Sequence, residues 1–322
     1  GDRGWEGLLP PEETPVHRAG PGDHLWTANN RIVGGASLDR IGNGGYDTIA
    51  RARQIRDGLA AIGTDATARA QPKDLLALQL DDRALWLERW QQLLLATLTD
   101  EAVAGNPRRT ELRTAISRWE GRASIDSASY RLVRGWRDRV ADRALTPIFR
   151  LCRETYPAFD YRELPYEHAL WALASEQPAH LVAAEYATWP ALLLAAADDV
   201  TTEFARSKTP LADATWGARN TARIRHPMSR ILPDFLARHL DMPPDPLPGD
   251  NHMPRVQRPS SGASQRFVVE PGLEEQGIFH MPAGQSGHPL SPFYRAGHAA
   301  WVQGSPTPFL PGEAVHTLTL NP

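Results

Sequence analysis

Apolar side chains change their spacing twice along this chain, and each change predicts a change of element. From residue 1 to about 60 the apolar runs are short and cut by Gly and Pro. Leu8-Leu9-Pro10-Pro11 and Thr14-Pro15-Val16 exclude a helix interior or a central strand there, because Pro has a fixed φ and no amide hydrogen. His24-Leu25-Trp26-Thr27-Ala28 then reads as a strand that ends on two consecutive amides, Asn29 and Asn30, before Arg31-Ile32. Gly34-Gly35 and Gly42-Asn43-Gly44-Gly45 make a flexible connection that lacks the GxGxxG spacing of a phosphate cradle.

From Tyr46 onward the period becomes helical, with Ile49, Ala52, Ile55, Leu59 and Ile62 recurring at three and four residues. The stretch from Gln79 to Leu98 predicts a helix that buries Trp86, Trp90, Leu93, Leu94 and Leu98 on one face. Asn106-Pro107 opens a segment with Leu112, Ile116 and Trp119, and Ala123-Ser124-Ile125-Asp126 leads into a helix through Tyr130, Val133 and Val140. Further amphipathic runs start at Glu167 and around Leu192-Leu193-Leu194, the latter reaching Phe204. The four Pro residues of Leu240–Asp250 forbid regular helix and mark a crossing loop. After it, Gln265–Glu270 and Gly277–Met281 alternate as strands, and Val315–Leu320 reads as a final strand. The pattern predicts an α+β chain in three parts: residues 1–62 and 263–322 contribute to a sheet, and residues 63–262 form a mainly helical lobe.

Composition narrows the function classes. With 322 residues, 41% of them apolar, the chain has ample material for a core. A net charge of −3 provides no basic face for nucleic acid, and the Trp residues of the middle region read as core mass rather than a stacking platform. The single Cys152 excludes an internal disulfide and a Cys-based metal site, and Phe149-Arg150-Leu151-Cys152-Arg153 predicts a buried helix residue rather than a nucleophile. No run spans a bilayer, and no signal-peptide pattern stands at Gly1-Asp2-Arg3-Gly4.

Several residues invite a chemical reading. Taken alone, Asn29 and Asn30 read first as turn formers, and second as amides delivered into a site. Ser286 in Gly284-Gln285-Ser286-Gly287 lacks the strand–Gly-x-Ser-x-Gly–helix setting of a nucleophile and is read as structural. No His pair has metal-ligand spacing, while a Ser/His/Asp triad assembled by folding remains open.

Order along the chain is more specific than any one residue. Gly4-Trp5-Glu6-Gly7-Leu8-Leu9-Pro10, the His24–Ile32 stretch, and Gly44-Gly45-Tyr46-Asp47 with Arg51-Ala52-Arg53-Gln54-Ile55 follow one another. Much later come Trp216-Gly217, Arg225-His226-Pro227-Met228-Ser229, Gly249-Asp250 with His252, and Pro282–Arg295 with Trp301, Gly304, Pro308 and Phe309. Together these resemble the catalytic β subunit of the penicillin acylase (penicillin amidase) family of N-terminal nucleophile hydrolases, its C-terminal portion, from Gly4 to about Leu310.

The resemblance implies a four-layer αββα fold and an amidohydrolase that cleaves an N-acyl amide such as a β-lactam side chain or an acyl-homoserine lactone. It gives Asn29 the role of donor to the oxyanion and Arg51 that of orienter. It implies a zymogen of the periplasm or the secreted space, with roles in antibiotic or quorum-signal turnover. No organic cofactor is required; a structural calcium ion is an option, with Asp39 near the position of one ligand although strict counting from Asn29 falls on Arg40. Family enzymes use the α-amino group of an N-terminal Ser, Thr or Cys as base for that residue's own side chain, and Gly1 offers none. The expected partners are therefore an upstream segment of the same precursor bearing the nucleophile and a small N-acyl amide, with no nucleic acid and no membrane; the chain alone is expected to be inactive. The competing class is a non-catalytic binding or assembly module with a degenerate acylase fold.

Overall fold

A computed structural model describes residues 7–20, 22–42, 44–63 and 69–320. Gly1 and the Gly4-Trp5-Glu6 part of the first motif lie outside the described residues, as does Asn43. In chain order the α-helices are α1 (Gly35–Ile41), α2 (Ala50–Ile62), α3 (Pro72–Gln79), α4 (Glu88–Thr97), α5 (Asp100–Val103), α6 (Pro107–Ser117), α7 (Ala128–Ile148), α8 (Arg150–Thr155), α9 (Glu167–Glu176), α10 (Trp189–Arg206), α11 (Trp216–Arg219) and α12 (Asp234–Leu240). Strands β1 (Arg266–Val268) and β2 (Ile278–His280) follow, then α13 (His298–Gln303). The class is α+β, strongly weighted to helix.

The core is built on α7 and α10. Each starts at a side-chain cap that satisfies one of the first free amides: Ser127 accepts from Tyr130 N, and Thr188 from Ala191 N. α6 begins the same way at Asn106 with Pro107 in its first turn. Along α7 the buried positions Leu132, Val133, Trp136, Val140 and Ala144 recur at helical spacing and meet Leu192, Leu193, Ala196 and Val200 of α10. Trp136 is fully buried, and its indole N–H donates to Leu193 O at 3.1 Å, so the polar edge of the ring is not left unpaired. Burying one such ring stabilises the fold by roughly 3 kcal/mol.

The predicted helix from Gln79 to Leu98 is interrupted. α3 ends at Gln79, and Asp81 takes hydrogen bonds from the backbone and guanidinium of Arg83, a turn that reorients the chain before α4. Trp90, Leu94 and Leu98 are buried as expected, whereas Trp86 and Leu93 are only partly so. The Pro-rich crossing segment is irregular and is pinned from inside. Buried Asn220 Nδ2 donates to the carbonyls of Leu247, Gly249 and Gln257 at 2.7, 3.1 and 3.0 Å. Gly249 has φ +89°, and a Cβ there would stand 2.1 Å from Arg255 O, so only glycine fits.

Strands β1 and β2 pair antiparallel, with Arg266 opposite His280, Phe267 opposite Phe279 and Val268 opposite Ile278. Val268 and Ile278 turn one face onto Leu76 of α3, and Thr307 and Phe309 hydrogen-bond the outer edge of β2. Two other strand expectations fail. His24–Ile32 contains no strand, only a single parallel bridge between Asn30 and Asp47. Val315, Leu318 and Leu320 are 84–85% exposed with no strand around them. Alternation needs a neighbour along its length to become a strand; His24–Ile32 meets one only at its end, and Val315–Leu320 is bridged to none among the described residues. None of the described helices is long and apolar enough to cross a membrane.

Candidate active site

Asn29 and Asn30 are used differently. Asn30 Oδ1 accepts the amide of Ala28 at 3.0 Å and its Nδ2 donates to Arg31 O at 2.9 Å, so both ends of this amide are spent on the local turn. Asn29 lies at φ +60°, left-handed geometry that Asn tolerates better than most side chains. Its carbonyl oxygen accepts Asp47 N–H at 2.8 Å, which fixes the backbone at that corner.

The side chain of Asn29 is held from α2. Asp47 precedes that helix and Arg51 lies in its first turn, so the two stand one turn apart and form an ion pair of 2.7 Å. The same Arg51 Nη2 donates to Asn29 Oδ1 at 2.9 Å. A guanidinium only donates, so the atom of Asn29 facing it is the carbonyl oxygen, and the amide nitrogen points away. Among the described residues Asn29 Nδ2 has no partner, and the side chain is exposed. The result is a neutral N–H donor whose orientation is set by a charged hydrogen bond behind it. Such a donor can bind an oxygen that gains negative charge during a reaction.

Behind this triad the contacts run into the lobe. Thr48 N donates to Asp47 Oδ1 at 2.7 Å, and Thr48 Oγ1 stands 3.3 Å from His252 Nδ1. The His252 ring meets Trp86 edge-on at 4.5 Å. Burial, and then the nearby Arg134 charge, push the His252 imidazole below its ordinary value, so it is neutral at pH 7. Asp250, two residues earlier, is deeply buried. Burial raises its carboxyl, but Arg134 at 3.0 Å, the Asn251 amide at 2.7 Å and Tyr130 OH at 2.8 Å outweigh it and hold the group below its usual range. A cavity of about 650 Å³ opens beside the site, walled by Asp47 and Thr48 on one side and by Trp86, Arg89 and Glu167 on the other.

The other singled-out residues stand apart. Asp39 is exposed on α1, and its neighbour Arg40 pairs with Glu13 at 3.0 Å. Among the described residues no group of three His, Cys, Asp or Glu side chains gathers as a metal site. Ser286 Oγ accepts the amide of His288 at 3.1 Å within its own loop. Gly284 in that loop allows Phe293 O to approach where a Cβ would lie at 1.7 Å. Cys152 is exposed, against expectation, because α8 is a short surface helix whose Arg150, Leu151 and Arg153 also face solvent. Among the described residues no Ser, Thr or Cys side chain is hydrogen-bonded to Asn29 or Arg51. Asp47 was missed as the partner of Arg51, although its four-residue spacing carries that signal; nothing in the sequence spacing pointed to Thr48 against His252.

A family model described as penicillin amidase matches residues 1–314. The penicillin acylase 2 proenzyme of Pseudomonas sp. (strain SE83) is 26% identical over 324 residues, covering 96% of this chain and 39% of that protein. The chain thus spans about two fifths of the length of this curated relative.

Proposed function

Because the chain belongs to the penicillin amidase family, we propose that the complete protein hydrolyses the amide bond of a small N-acyl substrate at the Asn29–Arg51 corner. Asn29 Nδ2 donates to the oxyanion of the tetrahedral intermediate, and Arg51 holds the amide in the donating orientation. The nucleophile is an N-terminal Ser, Thr or Cys on a precursor segment outside this chain. Its α-amine takes the side-chain proton as the bond to the carbonyl carbon forms, and that proton goes to the leaving amine. The proenzyme name of the relative supports maturation from a longer precursor. The same reading carries the αββα fold, to which β1 and β2 contribute, a periplasmic or secreted location, and β-lactam side chains or acyl-homoserine lactones as substrates. Neither the family match nor the intact Asn29–Arg51–Asp47 arrangement favours a non-catalytic module.

One observation carries the assignment: the Arg51–Asn29 hydrogen bond of 2.9 Å leaves the amide N–H₂ free, whereas the neighbouring Asn30 amide is engaged at both ends. In the complete enzyme, Asn29→Ala lowers kcat by roughly a hundred- to a thousand-fold with folding intact. Asn30→Ala costs far less in kcat and more in melting temperature. Near-normal kcat in Asn29→Ala would remove the oxyanion assignment.

A further inference from the structure

The Asn29 corner is tightly bonded within itself but lightly held to the rest of the molecule. Asn29, Asp47 and Arg51 hydrogen-bond one another, and residues 24–32 form no strand that would fix Asn29 from the other side. What fixes the corner against the lobe is α2 and the residues that lead into it. In the middle of α2, buried Gln54 donates through Nε2 to Arg83 O at 3.2 Å. At the end nearest the site, Thr48 Oγ1 stands 3.3 Å from His252 Nδ1; the bond forms whichever ring nitrogen carries the proton, because a hydroxyl both donates and accepts. Of these two ties only Thr48 adjoins the corner. Its amide donates to Asp47 Oδ1, and the preceding Asp47 N–H is the donor that anchors Asn29 O.

The far side of the Thr48 bond is rigid. His252 stands in a loop that is fastened to the lobe before and after it. Gly249 N donates to Ala123 O at 2.8 Å, the buried Asp250 carboxylate accepts from Tyr130 and Arg134, and Arg255 N donates to Asp81 O at 3.0 Å. The ring itself meets Trp86 edge-on at 4.5 Å. A ring nitrogen is therefore presented to Thr48 from a fixed frame. An oxyanion donor works only if it is in place before charge develops, so drift at Asp47 and Thr48 turns the Asn29 amide off its target.

We propose that His252 and Thr48 are positioning residues for the amide hydrolysis: their hydrogen bond sets Asp47, and through it Arg51 and Asn29, in register with the lobe. Both act through Asn29. The inference rests on the amidase reading above for its effect on rate.

The test uses the complete protein and substitutions that change one group at a time. Thr48→Val keeps the shape of the side chain and loses only the hydroxyl; it is expected to lower kcat by about tenfold with KM within about twofold. Thr48→Ser and His252→Asn, which keep a hydrogen-bonding group at either end of the tie, return kcat to within about threefold of the unaltered protein. In the Asn29→Ala background Thr48→Val costs nothing further in kcat, since no amide remains to be placed. A second measurement reads position without turnover. With isotope-labelled asparagine, the side-chain amide resonances of Asn29 are identified by their loss in Asn29→Ala; they move or broaden in Thr48→Val and return in Thr48→Ser. In a protein that Asn29→Ala slows, a kcat for Thr48→Val within about twofold of normal, or an equal loss in Thr48→Ser, overturns the positioning role, and a lowered melting temperature alone makes the bond merely structural. Asn29 resonances that respond to Thr48→Val, in a protein whose turnover survives Asn29→Ala, remove the oxyanion reading and keep the tie. Unmoved resonances and normal turnover in Thr48→Val, in a protein that Asn29→Ala slows, do the reverse.

Discussion

The α7–α10 pair and the Asn29 segment belong to one chain but are held by opposite means. In the helix pair, Trp136, Leu132 and Leu193 are out of water, and shape and area do the stabilising. Around Asn29, Leu25 and Trp26 are 60% and 42% exposed, and position comes from a few directed bonds: Arg51 to Asn29 and Asp47, and Asp47 N–H to Asn29 O. Burial tolerates small errors of angle; a hydrogen-bonded amide does not. Substitutions in the lobe should therefore act through stability, and those at the corner through rate.

The largest effect on stability is expected for Trp136→Ala, which leaves a cavity between the two helices, about 3–5 kcal/mol, read as a lowered denaturant midpoint. If the midpoint barely moves, burial does not govern the lobe. Close behind comes Arg137→Met. It removes one of three donors to Glu167, leaving those of Arg89 and Trp90, and the donor to Tyr166 OH; losing hydrogen bonds to a charged group costs about 1.5–3 kcal/mol. At the corner, Arg51→Ala should lower kcat by about ten- to a hundred-fold with a small change in melting temperature, because Asn29 loses the bond that orients it. A large melting change with normal kcat would transfer Arg51 to the structural side of the comparison. The smallest effect is on pH dependence. Burial lowers His252 and His280 below the ordinary value of 6.5, so the unfolded chain binds more protons in that range. Their contribution to stability is complete above pH 6.5 and is lost as pH falls through 6.5 toward the lower folded values. Melting scans from pH 8 to pH 5 should show this decline, and His280→Phe should flatten part of it.

What the sequence disclosed follows the same division. Helical periodicity marked α6, α7 and α10, and Asn106-Pro107 marked the start of α6, because each signal is local; the Ser127 and Thr188 caps went unread. Alternation at Arg266–Val268 and Ile278–His280 became paired strands, while equal alternation at Val315–Leu320 did not, since a pattern names a face and not the neighbour that covers it. The Asp47–Arg51 pair has helical spacing but went unread, since Asp47 precedes the helix. Its link to Asn29, across 22 positions, entered only through the ordered motifs of the family resemblance. Buried polar groups such as Asp250, Asn220 and Arg266 were invisible, because the partners that make their burial tolerable come from distant segments.

The central claim is that Arg51 acts on the reaction through Asn29. A double-mutant cycle on the complete enzyme measures this directly, with kcat/KM for Asn29→Ala, Arg51→Ala and the two together. If Arg51 serves to orient the Asn29 amide, the double variant is no slower than Asn29→Ala alone, since nothing remains to be oriented. If the two losses multiply, Arg51 and Asn29 contribute independently and the orienting hydrogen bond is not how this corner works.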